Sequence, residues 1–171
     1  ATFLESGHLG ELAEMYSEKI TECKVDYDVI FGPSYKGIPL AAAVATVLNQ
    51  KASKKIPICF DRKEEKDHGE GGALVGSVKN KKVLIIDDVL TAGTALKNSI
   101  KLIQEAGGTI SAALIALDRQ EQEEGEQVSK KLVNELNIPI FSISNLENLV
   151  LYLETSDKRG IAKKLKASLK S

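Results

Sequence analysis

The chain has 171 residues, 43% hydrophobic and 27% charged, with a formal net charge of −1. That composition describes a single soluble globular domain, residues 1–171, long enough to bury a full core. The near-neutral balance argues against a general nucleic-acid binder, which carries a basic excess. No apolar run reaches the length of a membrane span, and residues 1–10 lack the basic-then-apolar order of a signal peptide. Cys23 and Cys59 are far apart without metal spacing; they read as reduced thiols of a cytoplasmic protein.

Leu9, Leu12, Ala13, Tyr16 and Ile20 recur at helical spacing and predict a helix over residues 7–23. Residues 27–31 read as a strand ended by Gly32-Pro33, followed by a tight loop, 34–39, and an Ala-rich helix to about residue 50. The next strand covers 56–60, and Pro57 near its start points to an edge position. Residues 61–72 then carry almost no apolar side chain and three glycines, which predicts a mobile surface loop. A short strand over 74–78 is expected next.

Residues 83–95, Val-Leu-Ile-Ile-Asp-Asp-Val-Leu-Thr-Ala-Gly-Thr-Ala, organise the chain. The apolar run reads as a strand buried on both faces and stopping at the carboxylates of Asp87 and Asp88. A small-residue turn and a helix from about Thr94 follow. Backbone N–H groups of such a turn, with the helix N-terminus, can surround a phosphate. Gly93 is expected to let the backbone approach the anion, and Thr94 to add a hydroxyl or cap the helix. Two acids beside a phosphate loop imply that the ligand also offers hydroxyls or a bound metal. A ribose 5-phosphate satisfies this, with Asp87 and Asp88 accepting from its hydroxyls.

Leu96, Ile100 and Ile103 give the helix an inward face, ended by Gly107-Gly108. Strands over 109–117 and 138–143 and helices around Leu132, Val150 and Leu165 complete the chain, with an exposed acidic stretch after Glu121. Alternating strands and helices predict an α/β fold with a mainly parallel sheet covered on both faces. Its ligand belongs beyond the carboxyl ends of the strands. The unusual residues sit there: Tyr35-Lys36-Gly37, Arg62-Lys63, Asp87-Asp88 and Asp118-Arg119. Lys36, Arg62 and Lys63 offer cations for a phosphate-rich ligand. Lys66 and His68 ride on the loop, where closure would exclude water from a reactive sugar and neutralise a leaving group.

Residues 83–95 resemble the phosphoribosyl diphosphate (PRPP) signature of the type I phosphoribosyltransferases. With Phe31-Gly32-Pro33-Ser34-Tyr35-Lys36-Gly37-Ile38-Pro39, the loop Arg62-Lys63-Glu64-Glu65-Lys66-Asp67-His68-Gly69-Glu70-Gly71-Gly72 and Leu117-Asp118-Arg119-Gln120-Glu121, in that order, the chain looks like the orotate phosphoribosyltransferases. The resemblance implies a type I phosphoribosyltransferase core with a flexible catalytic loop. It implies Mg²⁺-dependent conversion of orotate and PRPP into orotidine 5′-monophosphate and diphosphate, a step of pyrimidine nucleotide synthesis. It places Asp87 and Asp88 on the ribose, and Val89, Leu90, Thr91, Ala92, Gly93, Thr94 and Ala95 around the 5-phosphate. Tyr35, Lys36, Arg62 and Lys63 fall on the diphosphate side. Thr91 and Arg119 fall on orotate, and Lys66 and His68 are the catalytic loop groups. It implies Mg²⁺ held by diphosphate and water rather than by protein ligands, and a homodimer in which loop 61–72 crosses to the partner's site. The family's N-terminal hood, which supplies a Lys towards PRPP and an aromatic pair around orotate, matches no residue of this sequence. PRPP binding is therefore expected to survive better than orotate selection. Transfer to another base, and a non-catalytic PRPP or nucleotide sensor, are the competing readings.

Overall fold

The computed structural model describes residues 2–5, 7–51, 55–62, 73–156 and 159–168. The elements are α1 (Thr2–Glu5), α2 (Leu9–Cys23), β1 (Val29–Phe31), α3 (Gly37–Lys51), β2 (Ile58–Asp61), β3 (Leu74–Val75), β4 (Lys82–Leu90) and α4 (Thr94–Glu105), then β5 (Thr109–Asp118), β6 (Gln122–Glu123), β7 (Glu126–Gln127), α5 (Val128–Leu136), β8 (Ile140–Asn145), α6 (Leu146–Thr155) and α7 (Arg159–Ser168). Six strands form one sheet in the order β3-β2-β1-β4-β5-β8. Every neighbouring pair is parallel except β2 with the short β3. This is the expected α/β architecture. From β1 the chain steps outward to β2, and from β4 it steps the other way to β5 and β8. The switch point of the sheet therefore lies between β1 and β4.

The apolar run of β4 is buried on both faces because helices cover both. Val83 and Ile85 pack with Leu96, Ile100 and Ile103 of α4 and Leu132 of α5. Leu84 and Ile86 pack with Tyr16 and Ile20 of α2 and Leu40 and Val44 of α3. At the end of α4, Gly108 N–H donates to the Ile103 carbonyl and Gly107 N–H to that of Gln104. Gly107 has φ +79°, so this is a Schellman ending that terminates the helix where the glycine pair predicts.

Several boundaries differ from the sequence expectation. β4 does not stop at the acids. It runs through Asp87 and Asp88 to Leu90, because β5 continues beside it until Leu90 faces Asp118. The cap of α4 is Gly93 in the left-handed region, with no side-chain cap bond, so Thr94 is a first-turn residue instead. α3 begins at Gly37, inside the stretch expected to be loop. Pro57 precedes β2, and β2 is flanked by β1 and β3 rather than forming the edge. β3 pairs only with Phe60 and Asp61, so the missing N–H of Pro57 interrupts no ladder. The acidic stretch after Glu121 contains the β6–β7 pair. Loop positions 63–72, including Lys63, Lys66 and His68, lie outside the described residues.

Candidate active site

One wall of the switch-point crevice is the loop from β1 into α3. A Cβ on Gly32 would collide with the Gly37 carbonyl and Ala41, and one on Gly37 with Pro33. These glycines therefore let the loop fold tightly onto the start of α3. Ser34 donates twice to the Asp61 carboxylate, from its N–H at 2.6 Å and its hydroxyl at 2.7 Å. Asp61 ends β2, so this pair fastens the loop to the neighbouring strand. The next residue, Arg62, donates its N–H to the Ala73 carbonyl at 2.8 Å, joining the two ends of segment 63–72. Beyond Ser34, Tyr35 is 65% exposed, and the Lys36 ammonium stands 3.5 Å from Asp88 Oδ2. That contact crosses the gap between β1 and β4.

The opposite wall is the end of β4 and the turn into α4. Adjacent strand residues face opposite ways. Asp88 reaches Lys36, while Asp87 lines a small cavity with Val89, Thr91, Gly93 and Ala95. The acids thus address the crevice from two sides of the strand. Gly93 has φ +76°, and an added Cβ would strike Leu132. Backbone conformation and the seat against α5 both require a glycine at this position. A larger cavity, about 360 Å³, opens towards α5 and β8 and shares only Leu90 and Ile115 with this one.

Burial pushes the Asp87 carboxyl up to about 6, against a hydrogen bond from Asp88 N–H that pulls it down; the Asp88 charge raises it further. That Asp88 N–H donates to Asp87 Oδ1 at 2.8 Å. Tyr16, fully buried on α2, donates its hydroxyl to the Asp87 carbonyl at 2.6 Å. Burial and both carboxylates raise its pKa far above the ordinary phenol value. Buried Cys59 is also raised, to about 11, mainly by desolvation, which suits a core thiol and not a nucleophile.

Arg119 lies just beyond β5. Its N–H donates to the Leu90 carbonyl at 3.1 Å, and its guanidinium stands 3.3 Å from Glu121. The following Gln120 is buried with φ +53° and accepts from Glu147 N–H at 2.8 Å, pinning this turn to α6. The structure therefore brings Tyr35, Lys36, Arg62, Asp87, Asp88, residues 89–95 and Arg119 to the carboxyl ends of β1, β2, β4 and β5. Three supporting residues escaped the sequence reading as site elements: Tyr16, Ser34 and Asp61. Tyr16 had a signal, since a tyrosine on an apolar helix face must find a partner for its hydroxyl. The Ser34–Asp61 pair spans 27 positions and had none.

Among the described residues no group of three or more His, Cys, Asp or Glu could enclose a metal ion. The acid pair supplies hard oxygen donors. This donor set fits a cation such as Mg²⁺ that keeps several waters and binds through few carboxylates together with substrate phosphates. Among the described residues no helix is long and apolar enough to cross a membrane.

A crevice at the switch point, edged by a glycine-capped turn and two carboxylates, is the ligand-binding position of an open α/β domain. The model of the phosphoribosyl transferase domain family matches residues 7–145, and the chain belongs to that family. Within it the chain belongs among the orotate phosphoribosyltransferases. It is 48% identical over 153 residues to the Acinetobacter baumannii (strain ACICU) enzyme of that name, spanning 88% of this chain and 70% of the relative. It is 42% identical over 160 residues to that of Salmonella newport (strain SL254), spanning 93% and 74%. The crystal structure of the Francisella tularensis orotate phosphoribosyltransferase superposes with a TM-score of 0.78 at 37% identity, covering 94% of this chain and 78% of that one.

Proposed function

We propose that this chain transfers the phosphoribosyl group of PRPP to orotate, forming orotidine 5′-monophosphate and diphosphate. The observation that carries this reading is the crevice itself. The Lys36–Asp88 contact spans it at 3.5 Å, with the Gly93 turn on one side and the Tyr35 loop on the other. The 5-phosphate sits in the turn 91–94, against backbone N–H groups and the start of α4. Asp87 and Asp88 accept hydrogen bonds from the ribose hydroxyls, one from each side of the strand. The diphosphate lies towards Tyr35, Lys36 and Arg62. Lys63, Lys66 and His68 join it from the segment outside the described residues.

In the reaction the bond between ribose C1 and the diphosphate oxygen breaks, and its electron pair leaves with diphosphate. A ring nitrogen of orotate forms the new bond to C1 and gives up its proton to the departing diphosphate. Cationic groups at the leaving end stabilise the charge that develops there. Asp87 and Asp88 hold the sugar while C1 is electron-poor. His68 donates a proton or hydrogen bond to a phosphate oxygen. Mg²⁺, when bound, would neutralise diphosphate charge and would be held by the diphosphate oxygens and waters, leaving Asp87 and Asp88 to the ribose hydroxyls. Arg119, beyond β5, faces the carboxylate and carbonyl groups of orotate, for which its planar fork is suited.

The enzyme is further proposed to act as a homodimer, each loop 61–72 closing over the partner's site. Sedimentation equilibrium giving twice the chain mass supports this, and a monomer at assay concentration refutes it. The function is tested by supplying PRPP and Mg²⁺ with orotate, uracil, adenine or hypoxanthine in turn. Turnover with orotate alone is the expected result. Preference for another base would reassign the specificity, and PRPP binding without turnover on any base would favour a sensor.

A further inference from the structure

Tyr16 fills the core between α2 and the sheet and is fully buried. A phenylalanine would supply the same packing, so the hydroxyl needs its own account. Burying it is costly unless it is hydrogen-bonded. Its partner is the Asp87 carbonyl, 2.6 Å away. At that point β4 has run past the end of β1. On one side, β1 pairs with β4 only as far as Ile85. On the other, β5 stays in register, with Asp87, Val89 and Leu90 opposite Ile115, Leu117 and Asp118. The Tyr16 hydroxyl lies beside this stretch, donating to Asp87 and lying against the backbone of Ala116.

We infer that Tyr16 is a positioning residue: its hydroxyl bridges β4 and β5 at the acid pair and so sets Asp87 and Asp88 for the ribose. This rests on the reading of the site as a PRPP pocket. The acids, which lie beyond the last β1 partner of β4, then keep a fixed backbone. The buried phenol, beside two carboxylates, remains a protonated donor at any ordinary pH.

Tyr16→Phe keeps the ring and removes the bridge. The control is Ile20→Val, buried on the same helix, which trims packing without touching the acid pair. Hydrogen exchange in the free protein is read at the amides of residues 88–90 and 115–117. Exchange is expected to quicken in Tyr16→Phe by about fivefold or more, as for loss of one hydrogen bond, and to stay unchanged there in Ile20→Val. Titration with PRPP and Mg²⁺ is expected to show about tenfold weaker binding in Tyr16→Phe. The KM for PRPP should rise with it, while kcat and the KM for orotate change far less. Unchanged local exchange overturns the inference. So does faster exchange with unaltered PRPP affinity, or a lower kcat at constant KM, which marks a merely structural role. If the unsubstituted chain binds no PRPP, the functional reading fails, and the exchange comparison still decides whether the hydroxyl holds the strands.

Discussion

Asp87→Asn isolates the cost of placing a carboxylate in this pocket. Burial raises its pKa from 3.8 to about 6. At pH 8 that rise corresponds to about 3 kcal/mol against the charged form in the folded state, as an upper bound. The asparagine amide oxygen can still accept from Asp88 N–H, so the variant loses the charge and keeps that bond. It should be more stable than the parent at pH 8 by about 1–3 kcal/mol, a rise in Tm of about 2–12 °C for a chain of this size. The sign follows from linkage. The folded pKa lies above the unfolded one, so the folded state binds the proton more tightly between about pH 4 and about pH 6. Parental stability therefore falls as pH rises through that window, whereas the variant has no such ionisation. Its advantage should be full above about pH 6 and vanish near pH 4. Thermal unfolding at pH 4, 6 and 8 reads this out. Turnover with PRPP should drop by about tenfold to a hundredfold, because a charged acceptor for the ribose is gone. A variant no more stable at pH 8, or equally stabilised at every pH, would refute the reasoning.

Gly93→Ala should lose about 2 kcal/mol, from an L-residue in the left-handed region and a Cβ against Leu132. Urea unfolding measures it, and a loss below about 0.5 kcal/mol would show that the turn relaxes freely. Asp61→Ala removes both acceptors for Ser34; PRPP affinity should fall by about fivefold to fiftyfold with little change in Tm. Asp61→Asn should weaken binding less. Equal affinity in all three proteins would mean that the Tyr35–Lys36 loop holds its shape without this anchor.

The fold was legible where the pattern was long and apolar. Residues 83–86 announce a strand buried on both faces, and the Gly107-Gly108 pair fixes the end of α4, because hydrophobic period and backbone freedom are local properties. The site was legible as a set of strand-end motifs for the same reason. The continuation of β4 through its acids was not. Asp has poor strand preference, and only the length of β5, which carries its partners through Asp118, holds it extended. Nor could sequence show that Asp87 and Asp88 face opposite ways, which follows from that continuation. The cap of α4 was misplaced by one residue because a threonine beside a glycine reads as a cap, while Leu132 and the left-handed backbone settle the matter in space. Tyr16 and Asp61 act across 71 and 27 positions, distances at which no local pattern carries information.

The central claim is tested most directly by incubating the chain with PRPP, Mg²⁺ and orotate and following orotate consumed and diphosphate released. A Lys66→Ala, His68→Ala double variant is run beside it. The account expects equal consumption and release in the parent and a sharp fall in kcat in the double variant, with the fold unchanged. Absence of turnover in the parent, or full turnover in the double variant, would contradict it.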